Sequence, residues 1–262
     1  MVQKLLSYLP KEIRWRLPLK AAAGVVALLL AFLFRFSFLG CLVYFTVIAF
    51  LYFSESSERK TLRVSFWTVS VLALLAFSDA ASLPPLLIPS IIKVMIVLSF
   101  GAMLYFLLGL SHLAFPDRAL SYRLVQSIAL FFVMAEFFFF APSLGDASFF
   151  PFFLWSAGMI ILLALLFKEA FVFLGVHHRR RTVRLLSFAS GFLALEVSLL
   201  VLFLPLGFIS AGAFLALFLV LFRDTLIMHF EGGLVFSFVL KELTLFAVFS
   251  SILFATAPWF LP

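Results

Sequence analysis

Asparagine does not occur in this chain of 262 residues, cysteine occurs once, and charged side chains make up only 12%. A globular domain carries about twice that share of charge. Without it, a fold of this size cannot cover its surface with polar groups, and a soluble fold is excluded. A disordered chain, which needs high charge and low hydrophobicity, is excluded as well. The single Cys41 rules out an internal disulfide and a cysteine-built metal cluster. It reads instead as a small apolar packing residue. There is no Gly-rich phosphate loop, and His229 and Glu231 lack the HExxH spacing of zinc proteases. Ser190-Gly191 follows Phe188-Ala189, where an intramembrane serine-protease motif requires a glycine. Neither a Ser/Gly-rich linker nor a polar insert is long enough to make a further domain. No catalytic residue, resident metal or cofactor is expected.

What the chain has in quantity is hydrocarbon. Hydrophobic residues make up 65%, with 39 Phe among them, and the mean hydropathy is +1.24. The longer apolar runs approach the ~20 residues that cross a bilayer core as a helix. Nine spans can be drawn, near 18–34, 36–53, 64–77, 86–110, 124–141, 149–167, 185–204, 208–222 and 234–256. The expected fold class is therefore all-α, a polytopic transmembrane helical bundle over 18–262 with short turns between antiparallel neighbours. Residues 1–17 precede it as a basic interfacial segment, in which Leu5, Leu6, Leu9, Ile13 and Trp15 alternate with Lys11, Arg14 and Arg16. These residues do not form a cleaved signal, because charge precedes the apolar run for too long and no small-x-small site follows it.

The formal net charge of +7 would suggest nucleic acid in a soluble protein. Here its distribution reports topology, and no nucleic-acid partner is expected. With the N-terminus in the cytoplasm, all of the 19 Lys and Arg except Arg35, Lys93 and Lys241 fall in inner segments. That agrees with the positive-inside rule at every loop. The expected location is a bacterial-type cytoplasmic membrane, with the N-terminus inside and the C-terminus outside. The inner run His177, His178, Arg179, Arg180 and Arg181 reads as a topological anchor, and its chemistry also suits anionic lipid headgroups. Two adjacent histidines without a carboxylate or Cys nearby do not make a metal site.

A weak repeat runs through the middle of the chain. Arg63, Arg123 and Arg184 are spaced 60 and 61 residues apart in similar contexts: KTLRVSF, SYRLVQS and RTVRLLSF. The unit would be a helical hairpin present as helices 3–4, 5–6 and 7–8, repeated in parallel. Coincidence in a chain of few residue types explains it equally well.

The chemistry-bearing candidates are ionisable residues at membrane depth. Glu136 and Glu196 stand 13 and 12 residues past their arginines, and Lys93 lies in the outer half of helix 4. Helix geometry puts all three within ~6 Å of the midplane. Lys241 and Glu242 enter helix 9 by about two turns. Such residues are costly in hydrocarbon, so they face protein or water and find partners. One lysine neutralises one carboxylate, which leaves the other for a proton, a hydrogen bond or a cation. In helix 7, Ser187, Ser190, Gly191, Ala194 and Ser198 form a narrow seam for close helix packing, and Glu196 points the other way. A helix used on both sides is expected to be central, with no face left for lipid.

Three functions are compatible with this pattern. The first is a small transporter or permease-like protein, proton- or cation-coupled, with substrate or ion held by Glu136, Glu196, Lys93, Lys241 and Glu242. The second is a structural or assembly subunit, in which buried charge fixes helix register. The third is a membrane-embedded enzyme acting on a lipid-linked substrate. The expected partners are the bilayer, anionic lipid at the inner face, and a small solute or ion.

Overall fold

The computed structural model describes residues 11–54, 63–82, 87–110, 115–145, 149–174, 180–204, 206–230 and 236–256. Among them there are helices and turns and no strands. The nine helices are α1 (Lys11–Leu33), α2 (Phe38–Phe53), α3 (Arg63–Ser82), α4 (Leu87–Gly109), α5 (Phe115–Gly145), α6 (Phe149–Phe173), α7 (Arg180–Val201), α8 (Phe208–Phe230) and α9 (Phe236–Thr256). A helix satisfies its own backbone hydrogen bonds, which an apolar chain in lipid must do. Among the described residues, six helices are long and apolar enough to cross a bilayer, over Arg16–Leu33, Ala119–Phe140, Phe150–Phe173, Arg181–Val201, Phe208–Phe230 and Phe236–Thr256. Shorter apolar helices cover Phe38–Phe53, Arg63–Ser78 and Lys93–Gly109. The chain is an integral membrane protein.

Most helices outrun the apolar stretches that predict them. The span at 124–141 lies within α5, Phe115–Gly145, and the span at 208–222 within α8, which continues to Phe230. Hydropathy marks where hydrocarbon ends. Helical hydrogen bonding continues past that point until a breaker stops it. Proline marks starts: Pro89, Pro116 and Pro151 lie in the first turns of α4, α5 and α6, where the missing N–H costs nothing. The α1–α2 turn uses another device. The Phe36 N–H reaches the Ala31 carbonyl at 2.8 Å, closing α1. Arg35 and Phe36 both have φ 51°, a left-handed conformation usually given to glycine. Ser37 then caps α2 by accepting from the Gly40 N–H.

The chain divides into two compact units, Met1–Val125 and Gln126–Pro262, with the boundary inside α5. In the first unit α1 packs on α2 and α4, and α3 packs on α4. Tyr44 is fully buried and its hydroxyl donates to the Ser70 carbonyl at 2.7 Å, tying α2 to α3. In the second unit the most extensive packing is between α6 and α7. A Cβ added at Gly191 would stand 2.7 Å from the Ile160 carbonyl oxygen and 3.0 Å from the Ala164 nitrogen. The two backbones therefore touch through that glycine. The expected seam is in place: Ser187, Ser190, Gly191, Ala194 and Ser198 are all buried. Three of its hydroxyls donate to carbonyls of their own helix, Ser187 to Val183, Ser190 to Leu186 and Ser198 to Ala194. That leaves the seam without free polar groups to oppose close packing. Gly212 plays a similar part between α8 and α5, where an added Cβ would lie 2.8 Å from the Ala135 backbone.

The hairpin repeat is not evident. The most extensive contact in the second unit, α6 with α7, falls between proposed hairpins, whereas α7 and α8 touch only lightly. The expectation that α7 has no lipid-facing side is corrected as well. Leu185, Phe188, Phe192 and Leu200 are exposed opposite the seam, because α7 packs on α6 chiefly through the seam side. At the other extreme is α9, of which only Ser250 is buried. It rests on α8 through Phe246 and Phe254 against Phe214.

Candidate functional site

Among the described residues of the second unit, a buried polar cluster joins α5, α6 and α8. It centres on Arg223, the largest of the fully buried side chains at 1% exposure. Its helix dictates this position. Gly212, Leu215, Ala216, Leu219, Arg223 and Ile227 are buried at spacings of three and four, so the arginine occupies a position on the inward stripe of α8. Its guanidinium pairs with the adjacent carboxylate, Nε to Asp224 Oδ1 at 2.9 Å and Nη2 to Oδ2 at 3.2 Å. This is the two-pronged geometry that suits arginine. Nη1 donates across to α5, to Gln126 Oε1 at 2.9 Å and more weakly to Ser127 Oγ at 3.5 Å. Gln126 in turn donates from Nε2 to the Leu166 carbonyl on α6 at 3.1 Å. One guanidinium and one amide thus join three helices. Glu169 is also buried, one turn past Leu166 on α6.

A second polar position lies further along α5. Glu136 is buried at 8% exposure. It is ten residues from Gln126, about 15 Å along the axis, and follows Ala135, the residue against Gly212. The pairs Gln126–Arg223 and Ala135–Gly212 run in opposite order, so α5 and α8 are antiparallel and pinned at two levels. A cavity of about 270 Å³ opens nearby, lined by Phe138, Phe139, Val201, Leu204, Leu206 and Phe208 among others. Its lining side chains are all apolar, and neither Glu136 nor Glu196 is among them.

The remaining candidates are dispersed. Glu196 is exposed on α7. Lys93 belongs to the first unit, is half-buried, and holds its ammonium 6.0 Å from the centre of the Phe32 ring, a weak cation–π contact. Lys241 is exposed and Glu242 half-buried near the start of α9. Of the basic run, Arg180 and Arg181 begin α7 and Arg181 is exposed. His177, His178 and Arg179 lie outside the described residues. Among the described residues no three His, Cys, Asp or Glu side chains converge as a metal site.

Sequence reasoning placed Arg223 in an inner loop as part of the charge bias and did not single out Gln126. Two signals point to them. Extending the three-four stripe of α8 beyond residue 222 lands on Arg223. Gln126 is one of two glutamines in a chain without asparagine, an amide that membrane helices use as a link. No protein-family model, curated protein or solved structure matches this chain.

Proposed function

We propose that the chain is a nine-span protein of a bacterial-type cytoplasmic membrane, N-terminus inside and C-terminus outside. In this reading it is a small transporter or permease-like protein whose coupling group is Glu136. The observation that carries the proposal is burial of that carboxylate within a helix apolar enough to span the bilayer. An ionisable side chain held inside a membrane bundle is costly and is retained where it serves an ion or proton pathway. The Arg223–Asp224–Gln126 cluster is the fixed part of the site. Its partners are close and well directed, so it holds α5, α6 and α8 in register while Glu136 exchanges its proton or cation.

Purified protein in proteoliposomes containing a pH indicator, challenged with a panel of small solutes, tests this. At least one solute should drive proton movement in the native protein. Glu136→Gln should abolish the proton movement while solute exchange continues. The reading fails if no solute moves, or if Glu136→Gln couples as well as the native chain does.

A further inference from the structure

Two buried hydrogen-bond donors on α6 stand at the depth of Glu136. The register of the helices places them there. Gln126 of α5 bonds to the Leu166 carbonyl of α6, and Phe140 of α5 lies against Trp155 of α6. The two pairs run in opposite order, so the helices are antiparallel. Counting in from each pair puts the level of Glu136 between Ser156 and Met159. Ser156 belongs to the buried stripe of α6, with Met159, Leu163, Leu166 and Ala170. On α5, Ala135 and Phe139 meet Gly212 and Phe208 of α8, and Phe140 meets α6. At 100° per residue Glu136 falls between Phe139 and Phe140, in the angle between α6 and α8. Ser156 Oγ and Trp155 Nε1 are both buried, and among the described residues neither has a hydrogen-bond partner. Leaving such groups unmet inside a bilayer is costly. An indole N–H only donates, so what meets Trp155 Nε1 is an acceptor. A metal cation is excluded from that place, since it takes oxygen ligands.

We propose that Trp155, Ser156 and protonated Glu136 together bind the oxyanion head of a small organic anion, a carboxylate or sulfonate with a short apolar tail. The inference rests on the reading of Glu136 as the coupling group, and it names the substrate class and the coupling ion of that site, a proton. The tail has a place to go. Phe139 and Ala211 line the apolar cavity, Phe139 one turn along α5 from Glu136 and Ala211 beside Gly212. At about 270 Å³ the cavity exceeds the ~150 Å³ that holds a benzene. Protonated Glu136 is neutral and adds a third donor to the indole and the hydroxyl. Ionised, it repels the anion. This level of the bundle therefore carries one negative charge, on Glu136 or on the ligand, and anion and proton bind as a pair. The other ionisable side chains described on α6 and α8, Lys168, Glu169, Arg223, Asp224 and His229, lie at or beyond the level of Gln126, about 15 Å away along the axis. Glu196 is on the exposed side of α7.

The test is calorimetric titration of the full chain in phosphatidylcholine nanodiscs, with empty discs as the blank. The probes are butanesulfonate, which stays anionic at every working pH, and butyltrimethylammonium, which carries the same tail on a cation. Butanesulfonate should bind about tenfold more tightly at pH 6 than at pH 8, with proton uptake seen as a dependence of the heat on buffer. Butyltrimethylammonium should not bind. Glu136→Gln should still bind the sulfonate, with no pH dependence and no proton uptake. Trp155→Phe and Ser156→Ala should each weaken it about five- to tenfold. Both variants remove a donor that has no partner in the fold, so their melting points should not fall, which a purely structural role would not allow. Absence of sulfonate binding, native affinity in both α6 variants, or preference for the ammonium probe overturns the proposal. If a cationic solute drives proton movement that Glu136→Gln abolishes, the transport reading stands and this inference falls. If the sulfonate binds with a dependence on Trp155 and Ser156 in a protein that moves no solute, the site stands and the transport reading falls.

Discussion

Arg223 shows how one side chain can change meaning between sequence and fold. As a letter after an apolar run it is a topological charge. In the folded unit it is 1% exposed and bonded to Asp224 and Gln126. Removing it leaves the buried Gln126 oxygen and the half-buried Asp224 carboxylate without this donor, a loss that approaches the ~3–5 kcal/mol of breaking a fully buried pair on one side. Arg223→Leu should therefore lower the thermal midpoint of the detergent-solubilised protein sharply. Gln126→Leu, which removes a neutral amide and leaves Arg223 paired with Asp224, should cost about 1–2 kcal/mol. Arg223→Lys should fall between them, because an ammonium keeps the charge and loses the two-pronged fit. Melting curves of the three variants check the order. A Leu variant as stable as the native chain would show that the cluster is not a staple.

Among the helices, α7 is defined by what it lacks at one position. Gly191 allows the backbones of α6 and α7 to meet, with the Ile160 carbonyl 2.7 Å from where a Cβ would stand. That neighbour is backbone and cannot rotate away. Gly191→Ala should cost about 1–3 kcal/mol, in the range of overpacked cores, and Gly191→Leu should separate the two helices. Disulfide crosslinking between cysteines introduced on α6 and α7, in a Cys41→Ser background, would report the separation as lost crosslinking. Retained crosslinking in Gly191→Leu would show that the close approach is not required. The seam itself was legible in the sequence, since small residues at i, i+3, i+4, i+7 and i+11 have one structural use in an apolar helix. Which helix the seam meets was not legible. Periodicity identifies a face and carries no information about its neighbour. The same limit produced the expectation that α7 is central, which its exposed Leu and Phe side chains overturn.

For the molecule as a whole, the topology proposal is the part most open to a direct test. Single cysteines placed at Ser57 and Thr182 in a Cys41→Ser background should react with a membrane-impermeant maleimide only after the cells are permeabilised. Labelling of either site in intact cells would overturn the inside-out assignment of the loops, and the nine-span count with it.

The membrane location and the helical class were determined by composition alone, because an apolar chain with 12% charge has few other ways to satisfy its backbone in lipid. The starts of α4 and α6, each with a proline in its first turn, were legible to within a residue. Elsewhere hydropathy stopped short, as at α5 and α8, since it senses hydrocarbon and not hydrogen bonding. Tertiary structure alone decided which charged residues are buried. Glu136 and Glu196 occupy matching places in the sequence, yet one is enclosed and the other faces outward. Burial of a side chain depends on which other helix covers its face, and that is set by shape at contacts such as Gly191 on Ile160 and Gly212 on Ala135, between residues far apart in the chain.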